Sequence, residues 1–210
     1  MSHLVLLGDS TLDNGAYVRG GPAVIDQVRT HLPEGWRATL LAVDGSRIDG
    51  VHRQLQRLPD DASHLVLSVG GNDLLAEAGV LGEPASTVGR AVLMLADIRD
   101  RFGAAYFALL KEFVATGLPT LVCTVYEPRF PDEALRRSTA AALSLFDDLI
   151  VRAAQGAGLP VLELRAVCSD DADFANPIEP SSAGGDKFAR ALRTVIRHHD
   201  FSAGRATVYP

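Results

Sequence analysis

At 210 residues, 47 % of them apolar and 22 % charged, the chain is sized for one domain with a full core, and a disordered chain is excluded. Its net charge of −6 and scattered Lys and Arg argue against a nucleic-acid surface, which needs clustered cations to neutralise phosphates. The two cysteines, Cys123 and Cys168, rule out a disulfide framework or a CxxC metal knuckle, and both are expected to stay unpaired.

The first element is the apolar run His3–Leu7, which stops at Gly8. It reads as a strand, too short for a signal or spanning helix, so a cytoplasmic chain with no transmembrane segment is expected. Val24, Val28 and Leu32 then recur at helical spacing, followed by the apolar run Thr39–Val43 and a shorter helical stripe at Val51, Leu55 and Leu58. The run His64–Val69 leads into a loop, Ala76–Thr87. A long stripe follows through Leu95, Ile98, Phe102, Leu109 and Phe113. Next come the run Thr120–Val125, a stripe from Leu135 through Ala142, Phe146 and Leu149 to Ala153, and a weaker run, Pro160–Leu164. A long loop is expected over Arg165–Gly185, and Phe188, Leu192 and Val195 mark a closing helix. Near its end Arg190, Arg193, Arg197, His198 and His199 suit the negative pole of the helix dipole better than a nucleic-acid contact. Residues 1–200 thus read as one domain and 201–210 as a C-terminal tail.

None of the strand runs alternates cleanly between apolar and polar, so both faces of each are expected to be covered, as in a parallel sheet. Strands alternating with helices imply right-handed βαβ units. The expected fold is α/β, a three-layer αβα sandwich around a parallel sheet of about five strands. In such sheets ligands bind in the loops beyond the strands' carboxyl ends. Those loops hold the informative residues.

After the first strand stands Gly8-Asp9-Ser10-Thr11-Leu12-Asp13-Asn14. Glycine permits a tight turn, and a serine opening a helix gains from the dipole. Alone, the tripeptide favours a plain helix cap, the commoner use of Ser and Asp after a strand. Asp9 suits a turn-stabilising role, and Asp13 either touches the site or caps the helix. After the second strand, Gly45 in Val43-Asp44-Gly45-Ser46 can offer its backbone N–H at close range. After the third, Val69-Gly70-Gly71-Asn72-Asp73 brings the neutral amide of Asn72 to the same rim.

These three blocks, in this order after three strands, resemble the SGNH or GDSL hydrolase family over most of the chain. The resemblance implies a flavodoxin-like sandwich and a serine that attacks an ester or related acyl carbonyl. By that resemblance Ser10 is the nucleophile, and the oxyanion is held by the Ser10 N–H, the Gly45 N–H and the Asn72 amide. A small-molecule ester or acyl substrate is implied, with no metal and no organic cofactor.

The family's last block carries an Asp and, three residues on, a His followed by Pro. Here the matching segment is Asn176-Pro177-Ile178-Glu179-Pro180, with Asn176 and Glu179 at those two positions, and none of the six histidines falls in it. An unperturbed Glu, with a pKa of about 4.3 against about 6.5 for His, is the weaker base, a deficit that burial can remove. Beside a Glu, an Asp would repel, whereas Asn176 is able to donate a hydrogen bond to the carboxylate. Glu179 is therefore read as the base and Asn176 as its orienting partner. The alternative is a catalytically weak binding or regulatory module on the same fold, and a further one is an anion binder with Ser10 capping a phosphate-facing helix. Among other candidates, Asp170, Asp171 and Asp173 read as a solvated loop without calcium-loop spacing. Cys123 reads as a buried apolar residue. Glu127, Arg129 and Asp132 read as a pocket rim or as mutual surface pairs.

Overall fold

A computed structural model describes residues 2–210. In chain order the elements are β1 (Ser2–Gly8), α1 (Val24–His31), β2 (Trp36–Leu40), α2 (Ile48–Leu55), β3 (His64–Ser68) and α3 (Gly71–Glu77). They continue as α4 (Val88–Ala115), β4 (Thr120–Cys123), α5 (Glu133–Gly156), β5 (Val161–Leu162) and α6 (Leu164–Val167). The chain closes with β6 (Phe174–Asn176), β7 (Glu179–Pro180), α7 (Ser182–His198) and β8 (Val208–Tyr209). Among the described residues no helix is long and apolar enough to cross a membrane.

The main sheet runs β2-β1-β3-β4-β5-β8, every pair parallel. Alternating side chains of its strands feed two separate cores. Leu4, Leu6, Val66, Leu121 and Leu162 pack with α1 and α7 on one face. Val5, Leu7, Leu65, Leu67, Val122 and Val161 pack with α2, α4 and α5 on the other. This is why the strands show no polar alternation: both faces are apolar because both are covered. The three-layer α/β sandwich is as the sequence implies.

The differences lie where elements are short. β2 begins earlier than the apolar run Thr39–Val43, although the N–H groups of Leu41, Ala42 and Val43 still donate to the Leu6 and Gly8 carbonyls. The sheet has six strands because the last residues, read as a tail, add β8: Val161 N–H donates to Thr207 and Glu163 N–H to Tyr209. The expected loop at 76–87 opens with the end of α3 and a 3-10 turn, Ala78–Gly82. The long loop at 165–185 is likewise subdivided by α6, a 3-10 turn over Asp171–Asp173, and the antiparallel pair β6–β7. That pair is the element that carries Glu179.

Both cysteines are free and buried. Burial raises the Cys123 thiol far above its ordinary range, which makes it inert rather than nucleophilic.

In this strand order the chain reverses direction between β1 and β3, which is where a doubly wound sheet opens a crevice at its carboxyl edge. Gly8 pairs in register with Ser68, so Ser10 and Gly70 emerge side by side at that edge.

Candidate active site

Gly8 ends β1 at φ +142°, and a Cβ there would lie 1.8 Å from the Ser68 carbonyl oxygen, so only glycine fits. The chain then makes a single helical turn, in which Leu12 and Asp13 N–H groups return to the Asp9 carbonyl. No helix follows until Val24, which removes the expected dipole behind Ser10. Its place is taken by the local turn, with the Asp9 carboxylate accepting from Thr11 N–H at 3.0 Å. Asp9 is buried, and desolvation lifts its carboxyl to about 7 against the opposing hydrogen bonds of Thr11.

Ser10 Oγ donates to Glu179 Oε1 at 3.1 Å, and both residues are buried at 6 % exposure. Desolvation, reinforced by the charges of Asp44 and Asp9, raises the Glu179 carboxyl to about 7, although the Ser10 hydrogen bond pulls the other way. Glu179 Oε2 is buried with no hydrogen-bond partner among the described residues. Asn176 does not supply one: its Oδ1 accepts from Ile178 N–H at 3.0 Å. The expected amide-to-carboxylate contact is thus replaced by a turn contact. A two-residue spacing across a proline puts the short Asn side chain on its own backbone rather than on the next strand.

Glu179 is held instead through its neighbours' carbonyls. Tyr126 donates its hydroxyl to the Ile178 carbonyl at 2.7 Å, and Asn14 Nδ2 donates to the Pro180 carbonyl at 3.0 Å. Asn14, fully buried, also accepts from Val24 N–H at 2.8 Å, so one side chain ties the serine loop to both α1 and the Glu179 segment. Neither Asn14 nor Tyr126 is marked by any motif in the sequence. The only signal for Asn14 was its place in the loop after the nucleophile turn.

The second and third blocks meet. Asn72 Nδ2 donates to the Ser46 carbonyl at 3.0 Å, which places the amide beside the Ser46–Arg47 peptide, one residue after Gly45. Gly45 sits at φ +74°, a conformation that L side chains rarely adopt. Asp13 neither touches the cavity nor caps a helix. Its carboxylate accepts from Asp44 N–H at 3.0 Å and so fastens the Gly45 loop to the serine loop. Asp73 likewise accepts from Ile48 N–H at the start of α2. Gln54 adds a third tie, bonding both the N–H and carbonyl of Gly8 and the Ser46 hydroxyl.

Ser10, Asn72 and Glu179 open on a cavity of about 200 Å³ whose remaining wall comes chiefly from α3, α4 and α5. Pro128 and Phe130 line it, whereas Glu127, Arg129 and Asp132 do not. Asp132 caps α5 through Leu135 N–H, and Arg129 faces Asp171, so these charges serve the loop and not the rim. The acidic loop is also less solvated than its composition suggests: Asp173 is buried, and Lys187 bridges it to Asp170.

A family model described as the GDSL-like lipase/acylhydrolase family matches residues 6–187. No curated protein matches the chain. Among solved structures it is similar to an extracellular lipase from Streptomyces rimosus, at 15 % identity and a TM-score of 0.69 over 94 % of this chain and 99 % of that one. A phospholipase A1 from Streptomyces albidoflavus aligns at 15 % identity and a TM-score of 0.64, covering 93 % and 98 %. An acetylxylan esterase from Geobacillus stearothermophilus aligns at 15 % identity and a TM-score of 0.65, covering 95 % of each chain.

Proposed function

The chain belongs to the GDSL-like lipase/acylhydrolase family, and from that premise we propose that it is a serine hydrolase of acyl esters working with a Ser10–Glu179 dyad. The observation that carries this reading is the buried 3.1 Å hydrogen bond from Ser10 Oγ to Glu179 Oε1. A carboxylate raised to about 7 matches the basicity of an ordinary imidazole, which supplies what the replaced histidine would have supplied.

In the proposed reaction Ser10 Oγ attacks the acyl carbonyl carbon while its proton passes to Glu179. The carbonyl π electrons move onto oxygen, giving a tetrahedral oxyanion. The N–H groups of Ser10 and Gly45 and the second N–H of the Asn72 amide, the one not bonded to Ser46, stabilise that charge. Collapse expels the alcohol oxygen, which takes the proton from Glu179, leaving an acyl-Ser10 ester. Water then attacks that ester with Glu179 again as base, and Ser10 recovers its proton as the acid leaves. Asp9 supports the turn, and Asn14 and Tyr126 fix the backbone on either side of the base.

The test is hydrolysis of activated acyl esters by the wild type, Ser10→Ala and Glu179→Gln, together with labelling of Ser10 by a fluorophosphonate. Loss of at least about a thousandfold in both variants is expected, with kcat/KM of the wild type rising through about pH 7 as Glu179 loses its proton. Turnover that survives Ser10→Ala excludes Ser10 as the nucleophile, turnover that survives Glu179→Gln excludes Glu179 as the base, and background turnover with an unlabelled serine leaves a binding module.

A further inference from the structure

The cavity at Ser10 is shaped by two helical stripes that share one pattern. On α4, positions Val88, Val92, Leu95, Ile98 and Phe102 lie on one face by helical spacing. Exposure falls along it from 82 % at Val88 and 54 % at Val92 to 6 % at Phe102, with Leu95 and Ile98 in the cavity wall between. On α5 the series Leu135, Thr139, Ala142 and Phe146 lines the same cavity and falls from 40 % exposure to 4 %. The two stripes meet at their inner ends, where the Phe102 and Phe146 rings touch edge to face at 5.5 Å. The result is a cleft, closed by aromatic rings within and open along α4 without.

Its helical wall carries few polar groups, and the Glu77 carboxylate among them is engaged by Arg101. A sugar placed there would bury hydroxyls without partners, which is unfavourable, whereas methylenes gain from leaving water. The polar side of the site lies elsewhere. The exposed Tyr17–Asp44 pair, bonded at 2.8 Å, stands by Glu179, the group that hands a proton to the leaving alcohol. Asn72, the oxyanion donor, sits instead on α3, whose Leu74 and Leu75 continue the apolar wall.

Building on the hydrolase reading, we infer that the cleft between α4 and α5 is an acyl-chain site, and that the substrates are esters of straight apolar acids of about six to ten carbons with a small or polar alcohol. The length follows from the wall: from Leu95 to Phe102 α4 rises about 10 Å, the span of about eight extended methylenes at roughly 1.3 Å each. Each methylene buried strengthens binding about three- to fourfold. Longer chains run out along Val92 and Val88, where burial is partial and the gain per carbon shrinks.

The experiment is a p-nitrophenyl ester series from acetyl to palmitoyl, with a second series of acetyl esters in which only the alcohol lengthens. Expected is a rise in kcat/KM of at least about a hundredfold from acetyl to octanoyl, levelling beyond about decanoyl, with little response to the alcohol. Ala142→Trp fills the cleft and is expected to lower the octanoyl-to-acetyl ratio at least about thirtyfold. A flat acyl series, or a length dependence confined to the alcohol, overturns the assignment. A binding measurement separates it from the hydrolase reading. Ser10→Ala titrated with methyl octanoate is expected to shift the methyl NMR signals of Leu95, Ile98 and Leu143. Unmoved signals overturn the cleft assignment whatever the turnover. Shifted signals with no turnover of any ester and no labelling of Ser10 overturn the hydrolase reading and leave the cleft as an apolar-chain site.

Discussion

Gln54 grips Gly8 at both of its backbone polar groups, accepting from its N–H at 2.8 Å and donating to its carbonyl at 2.8 Å. The same Nε2 reaches the Ser46 hydroxyl at 3.2 Å, so one buried amide on α2 joins the serine loop to the Gly45 loop. Gln54→Met keeps the volume and leaves the buried Gly8 N–H unpaired, worth roughly 1–3 kcal/mol, while the Gly8 carbonyl keeps its bond from Val43 N–H. Thermal unfolding is expected to show a midpoint lowered by roughly 3–10 °C. A shift within about 2 °C of wild type would mean that water or a neighbour replaces the clamp.

Stability should fall as pH rises across the range in which Glu179 titrates. Its folded carboxyl stands at about 7, while an unfolded one stands at about 4.3. Between those values the folded chain keeps a proton that the unfolded chain has released, so the free energy of unfolding decreases with rising pH and levels off above about 7. Burial lifts Asp9 and Asp147 to about 7 as well, adding slopes of the same sign. Glu179→Gln removes one of the three. Urea unfolding is expected to find the variant more stable than wild type at pH 8, by up to about 3 kcal/mol, and level with it at pH 4. A variant less stable at pH 8 contradicts the burial argument.

Asn72 offers one amide hydrogen to Ser46, and in the proposed mechanism the other meets the reacting oxygen. Asn72→Ala therefore removes a donor that matters mainly when negative charge has developed. Steady-state kinetics are expected to show kcat lowered about 10²–10³-fold with KM changed less than about threefold. A change confined to KM would place Asn72 in ground-state binding instead.

The serine, glycine and amide blocks were legible because each directly follows a strand, and a parallel sheet gathers its strand ends at one edge; Glu179, on β7 of the separate antiparallel pair, was legible only through the resemblance of its segment to the family's last block. Strand identity was legible for a related reason, since uninterrupted apolar runs such as Leu65–Leu67 need covering on both faces. What escaped the sequence were the polar residues that hold the site. Gln54 lies between Val51 and Leu55, and Asp147 follows Phe146; each breaks an apolar stripe in the manner of an ordinary solvent-facing residue. Only tertiary contact reveals that Gln54 meets Gly8 and that Asp147 accepts from Val125 N–H at 2.9 Å. Asn176 misled for the converse reason: its position in the block suggested a partner for Glu179, but local backbone geometry claimed its side chain first. Two-residue strands such as Val208–Tyr209 are too short to show any period, so the last strand looked like a tail.

Among the described residues Glu179 Oε2 has no side-chain partner, so apart from its bond with Ser10 the proposed base is positioned by its backbone, and that backbone is fixed from both sides by Tyr126 and Asn14. Tyr126→Phe deletes the hydroxyl that holds the Ile178 carbonyl while keeping the ring, which packs edge to face on Phe174 at 5.2 Å. The ring preserves the fold, so the effect should fall on catalysis: kcat lowered about tenfold or more through misplacement of the proton acceptor, with KM little changed. A purely structural role predicts a different pattern, a lowered unfolding midpoint with the kcat of the remaining folded protein intact. The second bond provides an internal check. If both side chains act by fixing the same residue, Asn14→Leu combined with Tyr126→Phe should lose less than the product of the two single losses, because Glu179 is already displaced after the first. Fully multiplicative losses would show that the two bonds act on separate features, and the backbone of Glu179 would then not be their common target.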